Sequence, residues 1–284
     1  MANRTVMPRR QHLTAIFVLA LTLACGGTGG TGPPPIGAPS PAIYGIDSAN
    51  TLIVFRATRP DLVTRTVSVS GLQAGERIVG IDFRPVDGRL YALGSSSRVY
   101  VLDTLTGAAT AVGAGAFTPA LLGTAFGFDF NPVSGLIRAV SDSDQNLRLD
   151  PDSGTVDKTG LALAYGPGDA NAGADAVVAA AAYTNSVAGA ASTTLYAIDV
   201  GLGVLVTLAS PDSGRLTTVG PLGVASSRFV GFDIAGATGK AYATLSLPAT
   251  TGARFFGVNL ATGDVTLTGT VGHAVPLVGI TVHP

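Results

Sequence analysis

From residue 42 onward, apolar residues come in runs of four to six, and Gly, Pro, Asn, Asp and Ser separate the runs. Within many runs, residues of opposite character alternate, and Val, Ile, Tyr and Phe are frequent. This is the signature of short strands joined by tight turns, not of helices. One unit recurs: an apolar strand with an internal Gly, a strand with an aromatic, a third strand ending in Asp or Asn, a Thr/Ser-Gly turn and a last strand. The clearest copy occupies 78–85, 89–94, 98–103 and 108–113, with Thr106-Gly107 before the last strand. Further copies run through 125–158, 177–220 and 229–269. The Ala-rich stretch 176–183 has a helical composition, but its place in the repeat predicts a buried strand.

The two ends supply the missing unit. The chain enters the repeat region with three strands, at 42–47, 51–55 and 62–69, and leaves it with a lone first strand at 277–282. Together they make one blade. Four-stranded units of roughly 50 residues, closed by pairing the first and last strands, predict an all-β fold, a β-propeller of five four-stranded blades. Closure also removes the open sheet edges that invite aggregation. A sixth blade requires a degenerate strand pair hidden in 159–176. Residues 42–284 form the expected domain.

The preceding segment differs in kind. Arg4, Arg9 and Arg10 precede an apolar run from Leu13 to Ala24, too short to span a bilayer and suited to a secretion signal over residues 1–24. The run ends Leu21-Thr22-Leu23-Ala24-Cys25-Gly26. This resembles the lipobox of bacterial lipoproteins, in which the Cys receives a diacylglycerol and becomes the new N-terminus. Ala24 and Cys25 match that pattern, whereas Thr22 replaces its commoner Leu. The resemblance implies lipidation at Cys25 and a membrane-anchored, extracytoplasmic protein of the cell envelope, at the outer membrane or cell surface. The segment 25–41, with six Gly and five Pro in residues 26–41, reads as a tether.

Composition removes several classes. The chain is 46% hydrophobic and 12% charged, which excludes disorder. Its single Cys excludes a disulfide framework or a cysteine zinc site. Removing Arg4, Arg9 and Arg10 from 17 basic side chains leaves 14, scattered, against 18 acids, so no nucleic-acid partner is expected. A monomer is expected, with a protein or glycan of the envelope as partner.

The stretches 80–94, 127–132 with 146–150, and 169–173 leading to 180–185 resemble the bacterial domain of unknown function 4394 family. The resemblance covers about 42–283. It implies exported proteins with a propeller-like β fold, and it carries over no catalytic residue.

Candidate chemistry is sparse. Asp82, Asp129 and Asp233 hold the same place in three first strands, and Thr281 holds it in the closing strand. First strands surround a propeller's axis, so these carboxylates are candidates either to hold a hard cation such as Ca²⁺ or to hydrogen-bond backbone between blades. Asn131 lies two residues beyond Asp129. The long connection 159–176 offers Asp169, Asn171 and Asp175, with Tyr183 and Asn185 just beyond, as a candidate binding loop. Asp142, Asp144 and Asn146 match the first positions of a calcium loop, but Leu147 and Ser153 stand where its Gly and Glu belong. Asp103, Asp150 and Asn259 have the spacing of turn formers. No catalytic residue is assigned. After residue 24 there are two His residues, His273 and His283, the only Glu is Glu76, and no Gly-x-Ser-x-Gly elbow occurs. The leading reading is a binding or scaffold module. The alternative is an extracytoplasmic hydrolase or lyase using the axial Asp residues, with or without Ca²⁺.

Overall fold

The computed structural model describes residues 1–2 and 40–284. The expected secretion signal, Cys25 and nearly all of the expected tether lie outside the described residues. Among the described residues, no helix is long and apolar enough to cross a membrane. The compact unit spans Ser40–Pro284.

The unit is all-β. It opens with β1 (Ala42–Asp47), β2 (Thr51–Arg56) and β3 (Arg59–Ser68). The second blade is β4 (Ile78–Phe83), β5 (Leu90–Gly94), β6 (Arg98–Leu102) and β7 (Ala109–Val112). The third is β8 (Phe126–Phe130), β9 (Ile137–Ser141), β10 (Asn146–Leu149) and β11 (Val156–Thr159). A two-residue strand, β12 (Ala164–Tyr165), precedes the fourth blade: β13 (Val178–Tyr183), β14 (Leu195–Asp199), β15 (Val204–Leu208) and β16 (Arg215–Pro221). The fifth is β17 (Val230–Ile234), β18 (Ala241–Leu245), β19 (Arg254–Val258) and β20 (Val265–Thr270). The last strand, β21 (Leu277–Val282), pairs antiparallel with β1, Ile43 opposite Val282 and Gly45 opposite Ile280, and completes the first blade.

Five blades are therefore present, joined into a ring by the C-terminal strand. The connection 159–176 hides no sixth blade. Its short β12 adds to the outer edge of blade four, running parallel to β16 with Ala164 opposite Arg215. The Ala-rich segment is a strand, β13, buried along its whole length.

The burial pattern explains the repeat. The two inner strands of each blade are covered on both faces by neighbouring blades, so they read as nearly continuous apolar runs; the outermost strands β7, β11 and β20 are largely exposed. The core divides into five clusters, one at each blade junction. At the axis, β4, β8, β13, β17 and β21 form a ring of touching strands. The internal Gly of the repeat exists for that close approach. A Cβ on Gly127 would sit 2.6 Å from the backbone N of Ala181, and one on Gly231 would sit 2.6 Å from that of Ile280.

Candidate functional site

Register on the inner strands brings Asp82 (β4), Asp129 (β8) and Asp233 (β17) to one level of the axis. They are 3%, 2% and 4% exposed, and each offers an oxygen within 4.8 Å of the others. Thr281 on β21 and Ala182 on β13 fill the remaining two places of the level.

The carboxylates also fasten blades. Asp82 Oδ2 accepts the Phe130 N–H of blade three at 2.8 Å, and Asp129 Oδ1 accepts the Tyr183 N–H of blade four at 3.0 Å. Asp233 Oδ2 accepts the Val282 N–H of the closing strand at 2.6 Å. Thr281 Oγ1 donates to Asp82 Oδ1 at 2.8 Å, which links blade one to blade two. Both readings of these residues therefore rest on the same atoms.

Burial disfavours the charged carboxylates and is the largest influence on all three. It pushes Asp233 up to about 6, with the Val282 and Ile234 N–H groups acting in the opposite direction. It pushes Asp82 well above the ordinary range, reinforced by repulsion from Asp233. Asp129 is raised likewise, first by burial and then by repulsion from Asp82 and Asp233. Three negative charges at this spacing need protons or a cation. A calcium ion with oxygens at about 2.3–2.6 Å spans about 4.6–5.2 Å between opposite ligands, so the observed spacing suits one ion. Asp129 Oδ2 accepts no hydrogen bond among the described residues and Thr281 Oγ1 sits beside Asp82. Three carboxylates and a hydroxyl form a hard-oxygen donor set, with water completing the shell.

The level is enclosed. On the side where the inner strands begin, Gly80, Gly127, Gly231 and Gly279 line a space of about 10 Å³, room for about one water. On the other side, the next residue of each strand (Phe83, Phe130, Tyr183, Ile234 and Val282) is buried. Beyond the narrow space the axis widens into a mouth of about 610 Å³, edged by Arg77, Phe126, Arg228, Phe229 and Val278. Arg228 is held there by Asp142 Oδ2 at 2.8 Å. Sequence reasoning missed these mouth residues. Their only signal is that they stand just ahead of, or at the start of, first strands, which closure places at one end of the axis.

The other sequence candidates do not join the axial group. Asp169 is clasped to β16: its Oδ2 accepts the Thr218 N–H at 2.7 Å and its Oδ1 accepts the Thr218 hydroxyl at 2.7 Å. Asn171 Nδ2 donates to the same hydroxyl at 2.9 Å. Asp175 is exposed. Asn185 is exposed at the β13–β14 turn, with φ 56° and its Nδ2 donating to the Ser192 carbonyl. Asn131 Oδ1 closes a turn by accepting the Val133 and Ser134 N–H groups, and Asn131 shares a separate cavity with Tyr183. Asp142, Asp144 and Asn146 diverge: Asp142 binds Thr124 and Arg228, whereas Asn146 is buried against Arg138. Asp103, Asp150 and Asn259 accept N–H groups two or three residues ahead, as turn formers do.

The fold and its axis define a five-bladed β-propeller with a buried carboxylate centre. The chain belongs to the family described as domain of unknown function (DUF4394), whose model matches residues 51–281. No curated protein matches it in sequence. Among solved structures, a chain from "Crystal structure of Nidogen/Laminin Complex" is similar at 13% identity and a TM-score of 0.49, covering 86% of this chain and 98% of that one.

Proposed function

We propose that this protein is an exported, lipid-anchored propeller of the cell envelope, a binding module whose axial centre takes one hard divalent cation, Ca²⁺ foremost. The observation that carries the reading is the buried convergence of Asp82, Asp129 and Asp233 within 4.8 Å. The ion would sit on the carboxylates that bind adjacent blades, so its charge would relieve their repulsion and stiffen the ring. The mouth of about 610 Å³, with both cationic and aromatic edges, is the place for an envelope protein or glycan to dock on that scaffold. The test is thermal unfolding of the full chain at neutral pH in chelator and in Ca²⁺. An ion at a hundred times its dissociation constant adds about 2.7 kcal/mol of stability. Asp129→Asn is expected to abolish that gain; equal stability in chelator and in Ca²⁺ would remove the reading.

A second reading, an extracytoplasmic hydrolase or lyase, is favoured by the raised carboxyl of Asp233 at about 6, because a carboxyl that titrates close to the working pH suits general acid–base catalysis. It requires a substrate to reach an enclosed level. Turnover on a glycan or lactone panel that Asp233→Asn abolishes without loss of folding would establish it. The anchor rests on the sequence around Cys25. Cys25→Ser is expected to release the protein from the membrane fraction, and unchanged fractionation would refute lipidation.

A further inference from the structure

Away from the axial centre, a cavity of about 200 Å³ opens between blades three and four. Its wall joins Asn131 after β8, Arg138 on β9, Arg148 on β10, Tyr183 at the end of β13, and Asp212 in the turn before β16. Asp212 is already engaged by three cations: Arg138 Nη2 at 2.6 Å, Arg148 Nη1 at 3.0 Å and Lys158 Nζ at 2.9 Å. Burial alone would raise its carboxyl, but Arg138, Lys158 and Arg148 outweigh burial and hold it at about 2. Arg148 is paired with Asp157 as well. Of these charged groups, Arg138, Arg148 and Asp212 line the cavity itself, so two cations face one carboxylate there and leave one positive charge in excess.

Two buried donors on this wall lack acceptors. Arg138 is 4% exposed, and its Nη1 and Nη2 are bonded to Asn146 and Asp212, yet its Nε–H has no partner among the described residues. Tyr183 is 1% exposed, and its hydroxyl also has none. Burial raises the Tyr183 phenol and outweighs the opposing pull of the Arg138 and Asn131 side chains beside it, so the hydroxyl keeps its proton. Asn131 spends its carbonyl oxygen on a turn, and its side-chain amide lies beside the Tyr183 hydroxyl. Donors without acceptors are costly when buried, so this wall is complementary to an absent acceptor. A single excess charge suits a monoanion. The volume lies below the roughly 300–1,000 Å³ of drug-sized sites, which limits the occupant to about monosaccharide size.

We infer that this cavity binds a small organic carboxylate, with Arg138 Nε–H and the Tyr183 hydroxyl donating to the carboxylate group. The test is ¹⁵N NMR of the full chain, following the Arg138 Nε–H resonance. Galacturonate is the probe, galactose its uncharged control and acetate the smallest carboxylate. Galacturonate or acetate is expected to shift the resonance and galactose to leave it in place. Tyr183→Phe removes an unpartnered hydroxyl, so it is expected to keep the melting temperature while weakening galacturonate binding about tenfold or more. No shift with either carboxylate, an equal shift with galactose, or unchanged affinity in a folded Tyr183→Phe variant would overturn the inference. The wild-type titration decides the matter should that variant fail to fold.

Discussion

The junction between blades two and three and the junction between blades four and five use equivalent strands but are fastened differently. At the first, Asp82 reaches across to the Phe130 N–H. At the second, the same place is Ala182, and the Ile234 N–H is bonded instead to its own Asp233 Oδ1 at 2.6 Å. Ala179, Ala180 and Ala182 there pack with Phe232 and Leu245 in an apolar cluster. The difference shows that a dry contact joins two blades of this ring adequately. Replacing buried charged groups with apolar ones is often neutral or stabilising. Three carboxylates at one level are therefore more than fastening demands, and this excess is what the cation reading accounts for.

The largest way to break the comparison is to remove what both junctions share, the close approach of inner strands. Gly127→Val forces side-chain atoms against the Ala181 backbone and is expected to cost about 3 kcal/mol or more, seen as loss of the cooperative unfolding transition. The next effect separates the two junctions. Asp82→Ala leaves the Phe130 N–H and the Thr281 hydroxyl without their acceptor, a loss of about 2–3 kcal/mol by denaturant titration at pH 5. Ala182→Ser at the apolar junction is expected to stay within about 1 kcal/mol, because the new hydroxyl offers the Ile234 N–H a second acceptor. Equal losses at the two positions would erase the distinction.

A pH dependence completes the comparison. The folded pKa of Asp233 is raised to about 6 from the ordinary 3.8, and those of Asp82 and Asp129 are raised as well. The folded chain then binds more protons than the unfolded one between these limits. Stability from these groups is complete below pH 3.8 and is lost as pH rises through the folded values. In chelator, the melting temperature is expected to fall between pH 5 and pH 7, with at most about 1.4 kcal/mol per pH unit for each group. Asp233→Asn is expected to flatten the slope. A rise over that interval would contradict the burial account.

Much of this was legible in the chain. The Gly and Asp recurring two residues apart, as in Gly80 and Asp82, mark strands that must approach an axis, and the split first blade at the two ends implies closure. From these the convergence of Asp82, Asp129 and Asp233 follows. The partners of the carboxylates were not legible, because each is a backbone N–H one blade away and carries no sequence signature. The loop 159–176 read as a binding segment on its oxygen donors, yet Asp169 and Asn171 are engaged by Thr218, nearly fifty residues on. The cavity at blades three and four was hidden for the same reason. Arg138 and Asp212 stand 74 residues apart, and only the ring brings them together.

The most direct test of the central claim is calorimetric titration of Ca²⁺ into chelator-treated full chain at pH 6, in two buffers of different ionisation enthalpy. The account predicts one ion per chain, with protons released from the axial carboxyls as it binds, and loss of both signals in Asp129→Asn. Binding without proton release, binding that survives Asp129→Asn, or no binding would contradict it.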